Sequence, residues 1–193
     1  MLTPTIRATA AALLIAASTT AQADWTLDAD ASRLSFISTK NVDKAEVHYF
    51  RELSGALTDA GEARVEVPLD SVETAIQIRN TRMRDLLFET GEYPMLVVRA
   101  AVDPAVLEAG GPRTRDVELT VSMHGSSKRY AAPLTVVHAT DGSLTVSTLE
   151  PLVVDAADFD FGPGITRLQE LAGLASISTA VPVSARLVFR ADD

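Results

Sequence analysis

The chain has 193 residues, with 26 acidic against 17 basic side chains and no cysteine, for a formal charge of −9. That balance excludes the overall electrostatic footprint by which a protein grips nucleic acid or an anionic lipid surface. The missing cysteines exclude disulfides, thiolate catalysis and cysteine-bound metals.

Residues 1–23 hold one basic side chain, Arg7, then an apolar run from Ala8 to Ala17 and an Ala21-Gln22-Ala23 ending. This is the pattern of an export signal cleaved near Ala23. The run is shorter than the roughly 18 apolar residues that cross a bilayer. The expectation is a mature protein that begins near Asp24, does not span a membrane and resides in a bacterial periplasm. Loss of Arg7 takes its formal charge from −9 to −10. Residues 24–193 suit one domain with a sizeable core.

From Trp25 the hydrophobic period is two. Leu34 and Phe36 alternate with Arg33 and Ser35; Leu53, Gly55 and Leu57 with Ser54, Ala56 and Thr58; Val65, Val67 and Leu69 with Arg64, Glu66 and Pro68. Such alternation predicts strands with one buried and one wet face, and Asp59-Ala60-Gly61-Glu62 predicts a tight hairpin. Residues 78–94 break the pattern. Thr81 is a candidate N-cap, Met83, Leu86 and Leu87 share a helical face, and Gly91 and Pro94 offer a stop. A short amphipathic helix among strands is expected to press that face onto the end of the sheet as a plug.

Residues 95–102 predict another strand, and 103–112 a turn or short helical excursion. Val117, Leu119, Val121 and Met123 then share a face, Gly125-Ser126 turns the chain, and Tyr130, Ala132, Leu134 and Val136 return. Asp141-Gly142 opens the next hairpin toward Leu144 and Val146. Residues 155–161 read as a loop or helical turn, Gly162-Pro163-Gly164 as a break, and Ile165, Leu168, Leu171 and Ala172 as a second short helix. The last strand sets Val183, Ala185, Leu187 and Phe189 opposite Ser184, Arg186 and Arg190. The prediction is all-β: an eight-stranded antiparallel barrel with one or two short plug helices, which removes exposed sheet edges. A sandwich is the alternative. An eight-stranded lumen is filled by side chains or holds one slender ligand, and a chain with 5% aromatics and plentiful alanine leans toward a cavity.

His48, His124 and His138 lack zinc-site spacing, although Glu46 and His48 share a strand face, so the reading is of satisfied strand and turn histidines with no metal. Asp155, Asp158 and Asp160 miss the calcium-loop pattern and read as a solvated loop or a cap. Neither G-x-S-x-G nor S-x-x-K occurs, so no catalytic apparatus is visible. Arg79, Arg82 and Arg84 gather around the plug. They suit either an anionic or carbonyl head group at the barrel mouth or surface pairing with Asp85, Glu89 and Glu92. Phe36, Leu57, Val67, Val97, Leu119, Val121, Leu134, Val146, Leu187 and Phe189 are ordinary core or the wall of a lumen. Leu87 is the candidate gate.

Trp25-Thr26-Leu27-Asp28 with Ser32 and Phe36, Leu53-Ser54-Gly55-Ala56-Leu57, Arg84-Asp85 followed by Tyr93-Pro94, and Leu119-Thr120-Val121-Ser122-Met123-His124-Gly125 resemble, in that order, motifs of the YceI-like family. The resemblance implies a secreted, lipocalin-like barrel whose lumen holds a polyisoprenoid such as an isoprenoid quinone or a polyprenyl phosphate. It implies a binding protein, with no catalytic residues and no required cofactor. The family usually carries a histidine soon after Arg-Asp and then Phe-Phe, where this chain has Leu86-Leu87-Phe88-Glu89.

The expected function is therefore a periplasmic carrier of a long polyisoprenoid. One alternative is an accessory electron-transfer or stress-response protein presenting a bound quinone to a transient membrane oxidoreductase partner; the other is a ligand-free structural or interaction barrel. A homodimer is left open.

Overall fold

The computed structural model describes residues 24–108 and 110–192; the export signal read over 1–23 lies outside them. Twelve strand segments follow eight paths. β1 comprises Trp25–Leu27 and Arg33–Lys40, and β2 Lys44–Phe50 and Ser54–Leu57. β3 is Glu62–Pro68, continued past a single tight turn by Val72–Glu73. β4 is Met95–Ala101, β5 Arg113–Met123 and β6 Ser126–His138. β7 comprises Leu144–Thr148 and Leu152–Asp155, and β8 is Ala180–Ala191.

Each path pairs antiparallel with the next, and β8 returns to pair with β1, so the sheet closes into an eight-stranded up-and-down barrel. Closure leaves no full-length edge, which a sandwich would. The longest ladder joins β5 to β6, from Arg113 opposite Val136 to Met123 opposite Ser126. Its two-residue turn is His124-Gly125, both at positive φ (49° and 71°), the hairpin geometry that matches strand twist.

The seam between β1 and β8 explains why β1 is broken. Leu27 faces Phe189 and Arg33 faces Arg186, so six residue steps on one strand span three on the other. The bulged residues 28–32 are stitched to β8. Asp28 N–H donates to the Val188 carbonyl at 2.8 Å. Ser32 Oγ accepts from Val188 N–H at 2.9 Å. Arg190 reaches the Asp28 carboxylate at 2.6 Å, which holds that carboxyl below its ordinary range.

The connections at one end are 58–61, 139–143 and the one between β4 and β5, which holds a single turn at Pro104–Val106. The opposite end carries the helices. α1, Gln77–Arg82, runs directly into a wider turn at Met83–Leu87 in which Phe88 N–H reaches the Met83 carbonyl five residues back, at 2.9 Å. The plug thus begins before Thr81. Thr81 is not its cap, because its hydroxyl back-bonds to the Gln77 carbonyl at 3.3 Å. What fixes the start is Asn80, buried, whose Oδ1 accepts from the Thr74 amide at 2.9 Å and from its hydroxyl at 2.6 Å. The stop is also earlier than Gly91. Glu89 adopts φ 47° and Thr90 N–H caps the Arg84 carbonyl at 3.0 Å, a left-handed closure of the kind usually made by glycine.

Gly162-Pro163-Gly164 is the first turn of α2, Gly162–Ala172, not a break. Proline suits a position whose N–H has no helical acceptor. Gly164 permits contact with the plug: a Cβ there would lie 2.4 Å from the Leu86 carbonyl oxygen. The core at this end is aromatic, with Phe36, Phe50, Phe88 and Phe161 in sequence at centroid separations of 5.6, 6.0 and 5.7 Å. Among the described residues no helix is long and apolar enough to cross a membrane.

Candidate ligand cavity

Inside the barrel is a cavity of about 740 Å³, within the roughly 300–1,000 Å³ usual for ligand pockets. Alternation along each strand supplies its wall. Leu34, Phe36, Ser38 and Lys40 project inward from β1, and Val183, Ala185, Leu187 and Phe189 from β8. Small residues leave the space: Ala63, Ala100 and Ala185 take positions where larger side chains would meet across the lumen.

Phe36, Leu57, Leu119, Val121, Leu134, Val146, Leu187 and Phe189 all line the cavity, and Leu87 closes it from the plug. Two candidates do not. Val67 shares the inward face of β3 with Val65 but is fully buried in the core, opposite Leu96, and does not reach the cavity. Val97 is on the other face of β4, since Leu96, Val98 and Ala100 are the residues that line.

The plug end of the lumen is polar. Ser38, Lys40, His48, Arg79 and Arg82 line it, whereas Arg84 does not. Glu46 binds Lys40 Nζ at 2.5 Å and Arg79 at 2.6 Å, and these cations hold its carboxyl below the ordinary range. The other Arg79 terminal nitrogen donates to the Thr74 carbonyl at 2.5 Å. The expected surface pairs with Asp85, Glu89 and Glu92 are not the ones formed by this cluster. His48 is 1% exposed, with Nε2 2.8 Å from Ser38 Oγ. Burial first, and then the neighbouring Arg79 charge, lower its pKa to about 4, so it is a neutral imidazole at pH 7. His48 Nδ1 and Arg79 Nε are buried without a hydrogen-bond partner. Buried polar atoms of that kind are uncommon and call for an explanation.

The periodicity that reveals Phe36 also reveals this polar pole: Ser38 and Lys40 are its next two positions on the same face, and His48 faces Phe36 across the ladder. A polar end to an apolar stripe reads as a strand leaving the core, so the signal is easily passed over.

His124 belongs to the frame of the site. Its Nδ1 meets the Phe159 carbonyl and its Nε2 the Glu89 carboxylate, both at 2.9 Å, while Tyr93 packs on the ring at 4.5 Å. One hairpin residue thereby ties the plug's closing turn to the segment before α2. Asp155 caps a short turn by accepting from Ala157 N–H at 2.9 Å, and Asp158 accepts from the Tyr130 hydroxyl at 2.9 Å. Among the described residues no group of three or more potential ligands could hold a metal ion.

A model described as the YceI-like domain matches residues 25–189. The chain belongs to the YceI-like family. Of solved structures, a polyisoprenoid binding domain from Saccharophagus degradans, implicated in plant cell wall breakdown, is 38% identical with a TM-score of 0.85; the match covers 89% of this chain and all of that one. BcnA from Burkholderia cenocepacia is similar in fold at 18% identity and a TM-score of 0.66, covering 84% of this chain and 98% of its own. The YceI protein of Campylobacter jejuni gives 17% and 0.54, covering 76% and 84%. No curated protein matches this YceI-like chain. The residues that carry the YceI-like resemblance now have structural roles. Asp28 and Ser32 hold the seam, Tyr93 follows the plug, and His124-Gly125 makes the turn on which Tyr93 rests.

Proposed function

We propose that the mature chain is a periplasmic carrier that holds one polyisoprenoid in its lumen, with the tail along the barrel and the head group at the plug end. The observation that carries this reading is a cavity with a largely apolar wall that meets, at the plug end, a cluster of Ser38, Lys40, His48, Arg79 and Arg82. The solved relative described as polyisoprenoid binding supports it, and the export signal read over 1–23 supports the compartment. β5, with 11 residues, rises about 34 Å along its own axis and roughly 26 Å along a barrel whose strands tilt by about 40°. That accommodates an extended chain of several isoprene units.

Removal of apolar surface from water drives binding. At about 0.8 kcal/mol per buried CH₂, ten carbons supply roughly 8 kcal/mol, a micromolar affinity before ordering costs. A longer tail adds less than its proportional share, so the head group sets specificity. Lys40, Arg79 and Arg82 exceed Glu46 in charge and suit an anionic head.

Neutral His48, with an unpartnered Nδ1, favours a second reading in which the head is a quinone carbonyl and the barrel presents that quinone to a membrane oxidoreductase. Solvent extraction of the periplasmic protein separates the two. A quinone bleaches on borohydride reduction, and a polyprenyl phosphate does not. Ala185→Trp, which fills the lumen, should co-purify with far less lipid at unchanged circular dichroism. Equal lipid in both proteins would remove the lumen as its location.

A further inference from the structure

We propose that the plug-end mouth of the barrel docks on an anionic lipid bilayer, with Val42, Ile76 and Ile78 entering the interface. The proposal rests on the reading of the lumen as a lipid site and names the surface with which that site exchanges. Three segments meet at this mouth. Lys40 and Arg79 share one Glu46 oxygen, which brings the β1–β2 tip beside α1. Asn41 accepts from the Ala175 amide at 2.8 Å and donates to the Ser176 carbonyl at 3.0 Å, which fixes the same tip to the chain following α2.

Apolar side chains stand in water around this opening. Val42 is 90% exposed, Ile78 58% and Ile76 47%, and both isoleucines line the cavity, which therefore reaches the surface between them. Val42 sits at the hairpin tip with φ 76°, a left-handed conformation that asparagine or glycine enters far more easily than a β-branched residue. Folding gains nothing from a strained valine held in solvent, so its benefit lies outside the folded chain. The lumen's other opening differs. Asp103, Arg113, Arg115, Asp116 and Glu118 line it, and among the described residues the large exposed apolar side chain near it is Val137, 37% exposed on the outer face of β6.

Charge selects the partner. Segments 40–47 and 76–82 contain Lys40, Lys44, Arg79 and Arg82 against Asp43 and Glu46, and segment 171–178 has no charged residue. These three segments together carry a net charge of +2 in a chain of formal charge −9. The whole-molecule charge argues against an anionic surface, but charges beyond about 8 Å are screened at physiological ionic strength. A docked mouth therefore senses its own rim. Apolar side chains flanked by basic ones are the composition of an interfacial anchor.

The test uses the full mature protein and Val42→Asn/Lys44→Glu, two positions outside the cavity wall. Co-sedimentation is measured with vesicles of equal phosphatidylglycerol and phosphatidylethanolamine and with phosphatidylcholine vesicles, and lipid content is measured by extraction. The parent should bind the anionic vesicles, and less so in high salt. The variant should lose about tenfold or more of that binding while its prenyl-lipid content and thermal stability hold. Lipid-loaded parent that ignores anionic vesicles overturns the docking and leaves the cargo reading intact. Vesicle binding by a parent without lipid upholds the docking and removes the cargo. Equal binding by parent and variant overturns the proposal, as does a mouth that instead mediates self-association, seen as a parent dimer and a variant monomer by light scattering with no vesicle binding.

Discussion

His48 shows how a single residue's surroundings become a measurable property of the fold. Its pKa falls from an ordinary value near 6.5 to about 4 because the imidazole is buried beside Arg79. A base whose native pKa is depressed leaves the unfolded chain binding more protons between those two values, so stability is fully present above about pH 6.5 and declines as pH falls toward 4. The full shift corresponds to roughly 3 kcal/mol. Urea titrations from pH 7 to 4 should show that decline, and His48→Gln should flatten it over the same window; parallel curves would contradict the assignment. Gly164 gives a second residue-scale outcome. Alanine normally stabilises a helix by about 1 kcal/mol relative to glycine. Here its Cβ would strike the Leu86 carbonyl, which is backbone and cannot move aside alone. Gly164→Ala should therefore lower stability, by about 1–3 kcal/mol as for an overpacked contact, read as a drop in Tm. At this scale most of the lumen wall was legible, because Phe36, Leu57, Leu119 and Phe189 sit in clean alternation. Val97 was not, since Leu96, Val97 and Val98 are all apolar and the run does not show which face is inside.

The elements reveal where local signals compete. The plug was recognisable from Met83, Leu86 and Leu87, but its limits are set by Asn80 folding back on Thr74 and by Glu89 at positive φ. Capping preferences carry neither contact. Likewise Gly162-Pro163-Gly164 has the composition of a loop, and only packing against the plug makes it the start of a helix. Leu87 lies where this element meets the cavity. Leu87→Asp should weaken lipid retention, seen as faster loss of prenyl lipid to acceptor vesicles, with the β-sheet circular dichroism unchanged; unchanged retention would place the gate elsewhere. The seam makes its own prediction. Ser32→Ala removes the acceptor for the Val188 amide in a buried stretch of β8, and an unsatisfied buried donor costs about 1–3 kcal/mol. The measured fall in unfolding free energy should lie in that range, and amide exchange at Val188 should accelerate.

Across the whole molecule, eight amphipathic strands and a formal charge of −9 have to serve both folding and an internal cavity. Closure of β8 on β1 solves the edge problem, and it was foreseeable from strand number and hairpin spacing. The bulge that makes closure possible was not, because Asp28 and Ser32 act on a strand more than 150 residues away in sequence. The same separation hides the polar pole and the rim, each assembled from segments that only the closed barrel brings together. The tube thus has a largely apolar wall, charged residues at both openings, and exposed isoleucines at the plug-end mouth. Native mass spectrometry of the mature protein, isolated without detergent, tests that picture most directly. One added mass per chain is expected, equal to a single prenyl lipid and removed by organic extraction. A bare-chain mass that stays unchanged after incubation with a prenyl quinone and with a polyprenyl phosphate would contradict it.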